Sequence, residues 1–232
     1  MTTTDTSRRD TPDQFAPDAL PAAVLFDMDG LLIDTEPLWF EVETQILADL
    51  GATWDASDHA NLVGSSSAVA SAFISEKSGG RATPREIADE LLLRMAKRLH
   101  DTPELQPGAL RFIEELDGAG VPRALVSSSA RVLIDAALDG LSLSFDVIVA
   151  GDAVNHNKPH PEPYLKAAQL LGVDAGDCVA LEDSPTGAAS ATAAGCVVIA
   201  VPSVTDIDPA ERRFIVPSLE QVDLPYVRSL FG

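Results

Sequence analysis

The stretch that most constrains this chain is "AAVLFDMDGLLIDTEPLW", residues 22–39. An unbroken apolar run, Ala22 to Phe26, ends abruptly in Asp27 and Asp29, and Gly30 follows. Apolar residues at every position, rather than at alternate ones, mark a strand covered on both faces, as in a parallel sheet between helices. Two acids one residue apart at the end of such a strand repel each other. The fold must therefore bring something positive to them, or they must take up protons.

From Pro107 onward the pattern alternates. "GALRFIEELDGAG", "ARVLIDAALDGL", "PEPYLKAAQLLGV" and "PTGAASATAAG" have helical spacing, and "VPRALVSS", "FDVIVAG", "DCVALED" and "CVVIAV" read as the strands between them. That alternation predicts βαβ units and an α/β fold with a doubly wound parallel sheet, Rossmann-like in plan. Residues 37–106 read differently. Leu38, Val42, Ile46, Leu47 and Leu50 share one helical face, and Gly51 stops that helix. "SSSAVASAFISEKSGG" reads as a second helix. "TPREIADELLLRMAKRLHD" reads as a third, with Thr83 as N-cap, Pro84 in the first turn and Glu86 three residues after the cap. No strand is expected there. The expected organisation is a core of residues 21–36 and 107–232 interrupted by a helical insertion, 37–106, after a disordered polar tail, 1–20.

A formal net charge of -20 argues against nucleic-acid and anionic-membrane partners, so an anionic substrate needs a local cationic trap. Arg8-Arg9 resembles a twin-arginine export signal, but no separate apolar run follows, and a cytoplasmic monomer is expected. Cys178 and Cys196 sit in apolar runs and read as reduced core thiols. His59, His100, His156 and His160 show no ligand spacing, and Trp54 reads as core.

Ligands of a parallel α/β sheet bind beyond the carboxyl ends of its strands. Here those ends carry Asp27-Met28-Asp29-Gly30, Ser127-Ser128-Ser129 and Glu182-Asp183-Ser184, and Lys158 follows a further strand. Crowded carboxylates with no sulfur or imidazole beside them suit a hard divalent cation, Mg²⁺, rather than zinc. Lys158, the Ser127 hydroxyl and backbone N–H groups at a helix start add the donors that a phosphate needs. Together they describe phosphoryl transfer, in which one carboxylate can attack phosphorus and another can move the leaving-group proton.

"VLFDMDGLLIDTEPLW", "ALVSSS", "NKPHPEPYLKAAQLLGV" and "CVALEDSPTGAASATAAG" resemble, in order, the motifs of the haloacid dehalogenase (HAD) superfamily. The variant resembled has a helical cap inserted after the first motif, as in β-phosphoglucomutase-like sugar phosphatases. The opening is most similar to that of 2-deoxyglucose-6-phosphate and hexitol phosphate phosphatases. The resemblance implies a phosphoric monoester hydrolase acting on small phosphorylated metabolites, sugar or polyol phosphates. By the resemblance, Asp27 is the nucleophile and Asp29 the general acid and then base. Mg²⁺ is held by Asp27, the Asp29 carbonyl and Asp183, with Glu182 a ligand or its neighbour. Ser127 and the Ser128 N–H hold the phosphoryl oxygens, Lys158 steadies nucleophile and phosphate, and Thr35, near the cap hinge, is a further substrate- or phosphate-binding residue. Trp39 and Val63 to Ser67 would line the cap side. A β-phosphoglucomutase-type mutase is the alternative within the family, although "LVGSSSAVA" carries no arginine where mutases grip a second phosphate. Outside it stands a non-catalytic, receiver-like phosphorylation module, which would place its phosphorylated aspartate on a middle strand and carry no insertion.

Overall fold

The computed structural model describes residues 20–60, 62 and 67–231. Apart from Leu20, the expected tail lies outside the described residues, as do Val63 to Ser66 of the expected cap loop. The chain runs β1 (Ala23–Phe26), α1 (Glu36–Asp49), α2 (Ala56–Ala60), α3 (Ser67–Lys77), α4 (Pro84–Asp101), α5 (Ala109–Ala119), β2 (Arg123–Val126) and α6 (Arg131–Leu141). It continues β3 (Val147–Val149), α7 (Glu162–Leu171), β4 (Cys178–Glu182), α8 (Pro185–Ala193), β5 (Val197–Ala200), β6 (Arg213–Ile215) and α9 (Leu224–Ser229).

Among the described residues six strands form one parallel sheet in the order β3-β2-β1-β4-β5-β6. The chain builds outward from β1 through β2 to β3, then returns past β1 to start β4 on its other side. The switch point therefore falls at the carboxyl end of β1, where the paired acids sit. β1, β4 and β5 are buried throughout, as their continuous apolar runs require. Alternate side chains serve opposite faces. Val24 and Phe26 pack with Phe112, Leu116, Ile134 and Leu138 of α5 and α6. Ala23 and Leu25 pack with Tyr164, Ala167 and Ala168 of α7 and Ala188 and Ala191 of α8. The alanines on this second face let α7 and α8 lie close to the sheet. Cys178 and Cys196 are free thiols in that core, and burial pushes both up to about 12.

Between β1 and β2 the regular elements among the described residues are helices, and isolated bridges pair the segments where the insertion leaves and rejoins the sheet. Ile33 bridges Leu105, the Asp34 N–H donates to the Glu104 carbonyl at 3.0 Å, and the Gln106 N–H donates to the Leu32 carbonyl at 2.9 Å. The expected capping box at Thr83 and Glu86 is present at the start of α4. Leu38, Val42, Ile46 and Leu47 form the buried face of α1. Three elements had no clear sequence signal. α2 has five residues and no apolar stripe. β6 is an exposed edge strand of three residues, and α9 is only six residues long. His59 does have a role: its ring nitrogens lie 2.7 Å from Glu43 and 3.3 Å from Glu36, tying α2 to α1. Trp54 is buried against Phe73 as expected, and Trp39 is half-buried against the core. Among the described residues, no helix is long and apolar enough to cross a membrane.

Phe112 is fully buried and packs on Phe26 with ring centroids 5.9 Å apart. Phe112→Ala should cost about 3–5 kcal/mol through lost transfer energy and a residual cavity. Urea unfolding should show the midpoint fall with the slope unchanged.

Candidate active site

Four strand ends converge on one crevice. β1 delivers Asp27 and Asp29, β2 delivers Ser127 to Ser129, β4 delivers Glu182 and Asp183, and the loop after β3 returns Lys158 to the same place. The Lys158 ammonium is almost wholly enclosed. It donates to Asp27 Oδ1 at 2.6 Å, to Glu182 Oε1 at 2.6 Å and to the Val126 carbonyl at 2.8 Å. An ammonium has three protons, so all of its donors are used. Burial alone would pull this lysine down; Asp27 and Glu182 more than offset that and hold it above its ordinary value.

One cation faces several acids. Burial pushes Asp27 well above the ordinary carboxylate range; Lys158 opposes the shift, while Glu182, Asp183 and Asp29 add to it. Burial likewise pushes Asp183 up to about 7, with Ser203 opposing and Glu182 adding. Asp29 is raised by burial against the pull of two serines. Those serines, Ser129 and Ser127, donate to the same oxygen, Asp29 Oδ2, at 2.9 and 3.0 Å. The Ser129 N–H donates in turn to the Ser127 oxygen at 2.9 Å, which fixes the turn. A half-buried, raised carboxyl with an ordered side-chain setting suits proton transfer.

The acids also fit a hard cation. Asp27, Glu182 and Asp183 each offer an oxygen, and these oxygens lie within 4.8 Å of one another. Gly30, at φ +84, is built for this crowding: a Cβ there would stand 2.1 Å from Asp183 Oδ2. The donors are all oxygen, the chemistry that Mg²⁺ prefers and zinc does not.

The expected residues Asp27, Asp29, Ser127, Lys158, Glu182 and Asp183 thus share one crevice. Ser128 turns its hydroxyl away, donating to Asn157 Oδ1 at 3.0 Å. Thr35 is fully buried beside Asp29 rather than open to the crevice. Ser129 had been noted at a strand end without a role. Ser203, which donates to Asp183 Oδ2 at 2.6 Å, was missed, although β5 also ends at this rim. Tyr164, whose hydroxyl donates to Glu182 Oε1, lies on a helix where strand-end reasoning does not look. The histidine reading needs amending: His156, His160 and Glu162 do lie together at the surface. There, however, the Glu162 carboxylate accepts the Asn155 and His156 N–H groups, and the Glu162 N–H donates to His160 Nδ1 at 3.2 Å.

The family description "Haloacid dehalogenase-like hydrolase" matches residues 24–201. Hexitol phosphatase B of Escherichia coli (strain K12) is 33% identical over 187 residues, 78% of this chain and 83% of that protein. A bifunctional riboflavin kinase/FMN phosphatase of Arabidopsis thaliana is 35% identical over 188 residues, 80% of this chain. The match spans only 49%, about half, of that longer protein. Among solved structures, CbbY from Rhodobacter sphaeroides in complex with phosphate superposes with a TM-score of 0.73 at 26% identity, over 87% of this chain and 96% of that one.

A raised acid destabilises the metal-free fold at pH values above its unfolded value. For Asp183 that penalty is absent below 3.8 and grows as pH rises towards about 7. A divalent cation at this site removes it. The cation-induced rise in melting temperature should therefore be larger at about pH 7.5 than at about pH 5.5. Thermal scans with the cation and with chelator at each pH test this; equal shifts would count against these acids as its ligands.

Proposed function

The chain belongs to the haloacid dehalogenase-like hydrolases, and on that premise we propose that it is a Mg²⁺-dependent phosphatase of small sugar or polyol phosphates. The observation that carries the reading is Lys158 bonded at 2.6 Å to Asp27, with Asp183, Glu182 and Asp29 gathered around the pair. Asp27, Asp183 and the Asp29 main chain would hold the ion. Bound there, Mg²⁺ supplies positive charge to neutralise the acids and the transferring phosphoryl group.

The chain's own residues then divide the work. Lys158 holds one oxygen of Asp27 and orients the carboxylate. The Asp27 carboxylate attacks phosphorus as the bond from phosphorus to the substrate oxygen breaks. Asp29, raised by burial and fixed through Oδ2 by two serines, gives its proton to the departing oxygen. The alcohol leaves, and Asp27 carries the phosphoryl group. Asp29, now deprotonated, takes a proton from a water that attacks the same phosphorus, which releases phosphate and restores Asp27. The Ser128 N–H would steady a phosphoryl oxygen, and Ser127 would join it by turning its single O–H from Asp29 to the phosphate. Residues 37–106 would act as a cap that excludes bulk water during the first transfer. Its hinge would lie just beyond Asp34 and before Glu104, outside the pairing of Leu32–Asp34 with Glu104–Gln106. The relative named as a hexitol phosphatase supports a sugar or polyol phosphate as the substrate class.

Purified protein should hydrolyse p-nitrophenyl phosphate with Mg²⁺, stop with chelator and recover when the ion is restored. Asp27→Asn should lose well over tenfold in kcat, and Asp29→Asn on the order of 10²–10⁴-fold. A loss smaller than tenfold for Asp27→Asn would remove it as nucleophile. Incubation with β-glucose 1-phosphate should release free phosphate; accumulation of glucose 6-phosphate would instead support a mutase.

A further inference from the structure

Tyr164 is a fully buried phenol, on the alanine-rich face of the sheet. A buried hydroxyl is costly unless it is bonded, so a chain needing only bulk here would be served by phenylalanine. Its hydroxyl donates to Glu182 Oε1, the same oxygen that accepts the Lys158 ammonium at 2.6 Å. The ammonium also stands over the tyrosine ring, 5.1 Å from its centroid. On the other side the carboxylate rests against Gly187, where any Cβ would come within 1.9–2.1 Å of its atoms. Ser184 reaches Oε2 at a long 3.4 Å. Glu182 is therefore wedged, with one oxygen taken by two donors.

We propose that Tyr164 is a positioning residue for the reaction: it locks Glu182, Glu182 locks Lys158, and Lys158 holds the Asp27 carboxylate for attack. The inference rests on the phosphatase reading of this site. It assigns Glu182 chiefly to holding Lys158, because a carboxylate oxygen shared by an ammonium and a phenol is a poor donor to a metal. It also gives a part in the chemistry to a tyrosine that sits on a helix rather than at a strand end. Without the phenol, Glu182 and Lys158 gain freedom to rotate together, and the attacking oxygen spends less time in line.

The test is Tyr164→Phe, which removes one oxygen and keeps the ring. The variant should melt close to the parent. Its kcat on p-nitrophenyl phosphate should fall about tenfold or more, as for other residues that orient a site from its outer shell, with KM changed by less than about twofold. In a Glu182→Gln background the same substitution should cost less than about twofold, because the relay is already broken. Losses that multiply in the double variant, or an unchanged kcat, would overturn the proposal. An independent readout uses the chain's two tyrosines. In protein labelled with 3-fluorotyrosine, Glu182→Gln should move the fluorine resonance of Tyr164 and leave that of Tyr226 in place. An unmoved Tyr164 resonance would refute the contact, and this measurement decides should the phenylalanine variant not fold. A moved resonance in a protein whose parent form turns over no phosphate ester would sink the phosphatase reading while the Tyr164–Glu182 contact stood.

Discussion

The structure turns on a charge imbalance held inside the protein. One lysine ammonium, with every donor used, faces Asp27 and Glu182 directly and Asp183 and Asp29 nearby. Isolated buried carboxylates cost several kcal/mol each unless paired, protonated or metal-bound. The chain has met only part of that cost with its own residues. Lys158 serves Asp27 and Glu182, serines serve Asp29, and Ser203 serves Asp183. The remaining deficit is what makes the crevice receptive to a cation. The raised acids at Asp27 and Asp183 express that deficit in proton terms.

The fold explains how such a deficit can be tolerated. Doubly covered strands fix four loop starts at one edge of the sheet, which holds the backbones that carry the acids close together. Glycine at residue 30 lets the backbone pass Asp183 closely, and glycine at residue 187 does the same for Glu182. The alanine face beneath α7 brings Tyr164 within reach of the same cluster. Apolar packing thus supplies the rigidity, and the polar residues at the strand ends use it.

How much of this could be read beforehand follows from where each signal lives. β1, β4 and β5 declared themselves because burial on both faces leaves no choice but unbroken apolar runs. Asp27, Asp29, Lys158, Glu182 and Asp183 could be grouped because strand ends share a rim whatever the details of packing. Ser203 obeys the same rule, but a serine after a strand resembles any turn residue until its distance to Asp183 is known. In sequence Tyr164 is one residue of a helical segment; only its hydroxyl's neighbour distinguishes it from a core ring. β6 has exposed Phe214 and Ile215, so the burial pattern that marks a strand is missing. His59 pairs with glutamates on another helix, and helix-to-helix contact is invisible in spacing along one chain.

The insertion and the acids are also mechanically related. The chain leaves the sheet through Leu32 to Asp34 and returns through Glu104 to Gln106, and these segments hydrogen-bond to each other. Gln106 then donates from Nε2 to the Gly30 carbonyl at 3.0 Å, and the Gly30 N–H donates to the Ile33 carbonyl at 2.9 Å. The returning strand is thus stapled to the loop that carries Asp29 and packs on Asp183. A rotation of the helices about this bridge need not disturb the acids, because the bridge itself is anchored on the sheet side. Bending beyond Asp34 and before Glu104 would move the helices relative to the acids. Loosening Gln106 would instead let that motion reach the Asp29 loop. The same short pairing therefore ties the insertion, the sheet and the Asp29 loop together.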